Sequence, residues 1–216
     1  MIYQVFFVFL LLFFICILFY NYYFLRTPKR KIPYDNNLFV SPANWKIIAV
    51  IKQNELKSKK NPLYKKNSEV IDDWTKGFEE WATLISIMMT PFDAHYQKAP
   101  MLSTLIDEEY EEGRLFNAMK SGEKMSSTFQ NEYNSLLFKT PENYKFRIIQ
   151  IAWFFARRIV DYIEIDQEIK QWDTIGLIKF WSQVSIILDK HFEIIAKKWD
   201  KVIDWETILA KKKVTK

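Results

Sequence analysis

A mainly β domain carried on one N-terminal apolar helix is the architecture that the sequence predicts. Three observations point there. The first two dozen residues form an uncharged apolar run, the chain beyond residue 33 breaks into short β-branched runs separated by polar turns, and helical periodicity is scarce. At 216 residues the chain has room for one core with an appendage.

The helix comes first. Residues 5–20 read VFFVFLLLFFICILFY, and Gln4 and Asn21 are the only interruptions between residues 2 and 25. About 20 such residues cross a bilayer. Tyr20, Tyr22 and Tyr23 stand where an interfacial aromatic belt belongs, and Arg26, Lys29, Arg30 and Lys31 follow, which places the C-terminal side in the cytoplasm. A cleaved signal peptide is the rival, but no basic segment precedes the run and no small-residue cleavage site follows it. We therefore expect an anchor over residues 1–25 and a domain over 26–216. Cys16 falls inside the span and reads as an apolar-like thiol.

The strands follow in order at 38–51, 84–89, 136–140, 146–153, 157–165, 174–188 and 192–196. The Lys-rich stretch 54–67 reads as an exposed loop. The best helical signal in the domain is the acidic start before Leu115 to Lys120. A faint repeat pairs Trp172-Asp173-Thr174-Ile175 with Trp205-Glu206-Thr207-Ile208, each an acidic turn between two strands. Glycine suits such a turn, whereas a bulky residue at positive φ is an outlier.

Composition narrows the function. One Cys and two His exclude a disulfide scaffold and a cysteine-based metal cluster, and no metal site is expected. The net charge of +5, with Lys211, Lys212, Lys213 and Lys216 at the tail, suits anionic lipid surfaces. Nothing in the sequence matches a nucleic-acid-binding motif, so no nucleic-acid partner is expected. Four Gly is low for this length, where roughly 15 is usual, and eight Trp is high.

Six ordered blocks then resemble one family. Arg26-Thr27-Pro28-Lys29-Arg30-Lys31-Ile32-Pro33 with Val40-Ser41-Pro42-Ala43-Asn44-Trp45-Lys46 is similar to the opening of the short phosphatidylserine decarboxylases, whose second block reads S-P-A-D-G-K. Residues 85–95, ending Pro91-Phe92-Asp93-Ala94-His95, with Ala99-Pro100, resemble I-S-I-F-M-S-P-F-D-V-H…A-P. Tyr110, Gly113, Asn117 and Ala118 resemble Y…G…N-A, and Asn131-Glu132 the start of N-E-R. Gln150-Ile151-Ala152-Trp153 with Ala156-Arg157-Arg158-Ile159 resembles Q-I-A-G…A-R-R-I, and residues 175–182 resemble I-G-M-I-K-F-G-S.

The resemblance implies a sandwich- or barrel-like β domain and a membrane-bound lyase that turns phosphatidylserine, or an analogous serine phospholipid, into the ethanolamine lipid and CO₂. It implies that the chain cuts itself between Trp181 and Ser182, leaving a large anchored subunit and a small one of about 35 residues, with homodimerisation possible in the family. Ser182 becomes a covalent pyruvoyl group, whose ketone is an electron sink otherwise supplied by pyridoxal phosphate. His95 matches the family's proton donor or acceptor, and an imidazole near neutrality suits that role. Lys98, Arg157 and Arg158 are candidates for the substrate phosphate, with solvation or pairing to nearby acids as the bland alternative. Asp93 reads as a turn former, and His191 as exposed.

Two departures stand out. Asn44 occupies the place of an Asp that assists self-processing in the family, and Asn cannot carry that charge. Trp45, Trp153, Trp172, Trp181, Trp199 and Trp205 all stand where the family has Gly. One rare residue repeated at one kind of position points to a UGA codon read as Trp where the organism reads Gly, and it predicts strained turns at several of the six. If Asn44 and Trp181 are as written, the alternative is an uncleaved, non-catalytic member of the family that tethers or scaffolds lipid.

Overall fold

The computed structural model describes residues 2–33, 35–113, 125, 128–153 and 159–213. Helix α1 (Ile2–Leu18) runs into a π-helical segment, Phe19–Phe24, and together they form a span long and apolar enough to cross a membrane. No residue of α1 is buried, whereas Phe24 at the other end is fully buried. The helix stands off the domain and only its last turns dock.

The domain is built on an eight-stranded antiparallel sheet. Its order is β13 (Lys201–Val202), β2 (Trp45–Lys52), β3 (Thr83–Met89), β11 (Ser182–Leu188), β7 (Lys145–Ala152), β6 (Tyr133–Lys139), β5 (Ser103–Glu111) and β9 (Glu168–Ile169). Two three-stranded sheets complete it: β1 (Leu38–Val40), β14 (Ile208–Lys212) and β12 (Phe192–Ile194), then β4 (Tyr96–Lys98), β10 (Thr174–Ile178) and β8 (Ile159–Asp161). The mainly β expectation holds.

Side-chain alternation splits the central strands between two cores. Phe146, Ile148, Val184, Ile186 and Leu188 face inward with Phe39 and Ile175 from the two small sheets. Ile149, Ile151 and Ile187 face outward into a second core with Leu56, Ile71 and Trp74. A sheet covered on both faces needs near-continuous apolar strands, which is why 146–153 and 184–188 are apolar at adjacent positions, broken only by Arg147, Gln150 and Ser185.

The second core corrects one expectation. Residues 54–67 are not a loop: they enter α2 (Gln53–Leu56) and α3 (Pro62–Trp74). Asn61 caps α3 by accepting a hydrogen bond from the Leu63 amide at 3.0 Å, and Pro62 occupies the first turn, where no donor is lost. Leu63, Val70, Ile71 and Trp74 then fall on one helical face against the sheet. The Lys tract hid this because the apolar positions begin near its end. Strand β5 was also not expected. Its acidic run 107–111 belongs to a strand that β9 covers only at Ser103 and Thr104, and charge there blunts an open edge. The expected helix at 115–120 lies outside the described residues.

The repeat is real at the level of structure: β9 and β10 flank one acidic turn, β13 and β14 the other. Four of the six Trp are strained as expected: Trp172 and Trp205 in these turns, Trp45 at the start of β2 and Trp199 just before β13. Trp45 (φ 100°), Trp172 (84°), Trp199 (78°) and Trp205 (65°) all have positive φ, the region that favours Gly. Trp153 and Trp181 do not, and Trp153 is fully buried in the second core.

Two outcomes follow. Trp199 is half-exposed and its ring meets, among the described residues, the cations of Lys46 and Lys198, each at 4.8 Å. Trp199→Gly relieves about 1–3 kcal/mol of backbone strain against about 0.5–1 kcal/mol of cation–π contact, so its denaturation midpoint should rise; a lower midpoint would show that the Trp is accommodated. The gene should carry UGA at the strained positions, and UGG at most of the six would refute recoding.

Candidate active site

Ser182 opens β11. Its backbone pairs with Met89 of β3 and Ala152 of β7, and its side chain shares the inner face with Val184 and Ile186. The residue is fully buried, and its Oγ has no hydrogen-bond partner among the described residues. A buried hydroxyl without a partner costs stability, so a group left in that state is free for chemistry. Residues 179–181 carry the chain from β10 in the small sheet to β11 in the large one, and Phe180 in this crossing takes φ 66°. Trp181, just before Ser182, is half-buried against the second core.

His95 holds that crossing. Asp93 first shapes the turn before it: its Oδ2 accepts hydrogen bonds from the Thr90 amide and hydroxyl, each at 2.7 Å, as expected of a turn former. His95 Nδ1 then lies 2.8 Å from the Asp93 carbonyl and Nε2 lies 2.7 Å from the Phe180 carbonyl. The imidazole therefore grips the backbone one peptide upstream of the Trp181–Ser182 bond. A neutral ring donates to only one of the two carbonyls, and an imidazolium to both. Burial nevertheless dominates: it pulls the imidazole down to about 4, against the two carbonyls and the Asp93 charge, with Arg26 adding a small push in the same direction as burial. The expectation of an imidazole near neutrality is thus corrected, because the ring is fully buried under an aromatic plane. That plane is Phe24, stacked on His95 with centroids 4.1 Å apart.

A polar chain runs inward from His95. Gln97 Nε2 donates to the His95 carbonyl at 2.6 Å, and Gln150 Nε2 donates to Gln97 Oε1 at 3.0 Å. Gly176 faces this pair, and a Cβ there would sit 2.2 Å from Gln150 Nε2.

Asn44 lies on the other side. Its Nδ2 donates to the carbonyl of Ala94, next to His95, at 3.3 Å, and its Oδ1 accepts from Arg30 Nη2 and from the Asp204 amide, both at 3.2 Å. Arg30 is ion-paired with Asp204, a buried carboxyl raised by desolvation against the pull of Arg30. A buried carboxyl thus stands beside the amide at 44. Lys98 is also buried. It donates to Thr174 Oγ1, sits 4.6 Å from the Trp205 ring, and is lowered by burial. The structure therefore gathers Ser182, Trp181 and His95 around one crossing, with Asn44 adjoining through Ala94 and Lys98 three residues along on β4. Arg157 and Arg158 lie outside the described residues. His191 stacks on Tyr144 at 4.4 Å and is half-buried rather than exposed.

Sequence reasoning missed Phe24, Gln97 and the Arg30–Asp204 pair. Phe24 follows directly on the aromatic belt, and Asp204 sits in the second acidic turn of the repeat; both signals were present but carried no role.

Comparison with known proteins places the chain. The family described as phosphatidylserine decarboxylase matches residues 18–210. A phosphatidylserine decarboxylase proenzyme of Geotalea uraniireducens is 30% identical over 91% of this chain and 81% of its own. A putative archaetidylserine decarboxylase proenzyme of Methanothermobacter thermautotrophicus is 32% identical over 87% and 78%. A phosphatidylserine decarboxylase proenzyme of Wolbachia pipientis is 30% identical over 87% and 74%.

The burial of His95 has a consequence for stability. The unfolded ring takes up a proton near 6.5, while the folded ring refuses it until about 4. Stability is full above pH 6.5 and falls as pH drops toward 4, by on the order of 3 kcal/mol. Denaturant titrations at pH 7 and pH 4.5 should show this loss in the wild type and a smaller one in His95→Gln; equal losses would mean other groups cause it.

Proposed function

The chain belongs to the phosphatidylserine decarboxylase family, and from that premise we propose that it is a membrane-anchored pyruvoyl-dependent lyase that matures by cutting itself before Ser182. The observation that carries the reading is the buried, unpartnered hydroxyl of Ser182 beside a crossing whose upstream carbonyl is held by His95.

The chain's residues suit the maturation step. Ser182 Oγ attacks the Trp181 carbonyl carbon, the amide C–N bond breaks, and an ester joins the two parts. His95 is neutral because it is buried, so one ring nitrogen carries no hydrogen; turned from the carbonyl it faces toward Ser182, that nitrogen takes the hydroxyl proton. Loss of the Cα proton of residue 182 then expels the Trp181 carboxylate, and water releases ammonia to leave the ketone. That ketone supplies the electron sink for loss of CO₂ from a substrate bound through its amine. The residues fit such a group: Ser182 is already buried on the inner face, and Gly176, with no side chain, keeps Gln150 and Gln97 in place behind it. Lys98 is the cation for a phosphate on this side, with Arg157 and Arg158 as further candidates. Substrate is phosphatidylserine or a related serine phospholipid, as the relatives' names indicate. The apolar helix and the basic flank after it support a domain on the cytoplasmic face.

One observation favours the rival reading of an uncut lipid-binding protein. Asn44 spends both its amide groups on Arg30, Asp204 and Ala94, as a purely structural residue would.

Denaturing electrophoresis and mass spectrometry separate the two. The full chain, expressed with UGA read as Gly, should yield a C-terminal fragment beginning at residue 182 with a blocked N-terminus, and Ser182→Ala should stay whole. Asp204→Asn should slow the cut at least tenfold, since Asp204 is a buried acid in contact with Asn44, where the resemblance puts an Asp. A wild-type chain that stays whole supports the rival.

A further inference from the structure

We propose that the membrane anchor forms one wall of the catalytic centre, with Phe24, the last residue of the span, as a positioning residue for His95. The inference rests on the decarboxylase reading only for calling the centre catalytic; the wall itself rests on contacts.

Four ring contacts join the end of the span to the site. Phe24 stacks on His95 at 4.1 Å and leans on Phe180 at 5.2 Å, Tyr20 meets Phe180 at 6.0 Å, and Phe19 meets Phe92 at 6.0 Å. Thus one anchor residue touches both the imidazole and the residue whose carbonyl that imidazole grips. Tyr20 stacks on Phe24 at 5.5 Å and backs it from the membrane side. Arg26 then fastens the join: it donates to the carbonyls of Tyr23 and Phe92, each at 2.7 Å, and lies 4.0 Å above the Tyr23 ring. An anchor that served only as a tether would need none of these contacts, because a flexible linker holds a domain at a surface equally well. Instead the π-helical segment 19–24 turns its aromatic rings onto the site, and the span and the centre are continuous.

The continuity fixes the occupant of the remaining apolar surface. Phe92 is 63% exposed although it lies against Phe19 within the span. A bilayer that takes the candidate span as far as Phe19 reaches that ring, so the surface beside His95 faces lipid, and a lipid substrate need not leave the membrane plane to meet it.

Removing the wall has a defined sign. His95 faces the carbonyls of Asp93 and Phe180 and the Asp93 charge, which raise it, and Arg26, which lowers it; burial outweighs all of these. Loss of the Phe24 ring relieves burial and leaves the other groups in place.

The test uses the full chain carrying Ser182→Ala, reconstituted in vesicles of phosphatidylcholine and phosphatidylglycerol, with the histidines followed by NMR through a pH titration. His95 should titrate near 4, and Phe24→Ala should move it up by about one to two pH units. Tyr20→Ala, which loosens the stack without emptying it, should move it less in the same direction. Phe92→Ala, whose ring contact is with Phe19, should leave it in place. In chains that keep Ser182, the pH profile of self-cleavage should shift with the titration. Unchanged titrations in both Phe24→Ala and Tyr20→Ala would overturn the proposal, and Tyr20→Ala decides alone if Phe24→Ala does not fold. Should no chain cut itself, the decarboxylase reading falls while the titration still reports on the wall.

Discussion

Everything near the site hangs on the pairing of β11. It is bonded over seven consecutive residues to β3 on one side and to β7 on the other, with no register shift in either ladder. Because alternation fixes which face each residue takes, a slip of one residue would turn Ser182 to the outer core and bring Gln183 inward. The unbroken register therefore sets the position of the hydroxyl, and the apolar content of both faces sets the register. Fold and chemistry share one constraint.

That constraint was legible in part. The central strands announced themselves because burial on both faces demands apolar side chains at adjacent positions, and the N-terminal helix because its residues are apolar all round. What could not be read was whatever depends on two distant segments meeting. Helix α3 looked like solvated loop because its apolar face is spaced at helical intervals beyond a Lys tract, and only the outer face of the sheet gives that spacing a purpose. Strand β5 was hidden by the acids that an open edge calls for. At the site, Ser182 and His95 could be named from motif blocks, but the imidazole's suppressed basicity could not, since it arises from burial among segments distant in the chain, a ring 71 positions earlier among them. Asp204 was likewise visible only as a turn acid until Arg30 and Asn44 were seen around it.

The Arg30–Asp204–Asn44 group illustrates how a buried charge is made tolerable. A carboxylate taken from water needs a cation and hydrogen bonds of good geometry. Arg30 supplies both, Asn44 ties Arg30 to the Asp204 backbone, and the same amide reaches the carbonyl next to His95. The segment just beyond the apolar N-terminal helix, the 41–44 loop and the turn before β14 are thereby locked together. Backbone bonds reinforce the lock: the Ser41 amide donates to the Thr207 carbonyl, and the Trp205 amide to the Ser41 carbonyl.

The placement of β11 to β14 also bears on what a backbone break would do. The chain after residue 181 supplies one interior strand of the large sheet, one of its edges, and two of the three strands of the β1–β14–β12 sheet. These strands are threaded among those of the preceding chain, so the two pieces made by a cut before Ser182 have no seam along which to part. Covalent continuity is redundant there. The molecule can give up a peptide bond, expose a new chain end in its interior, and remain one body.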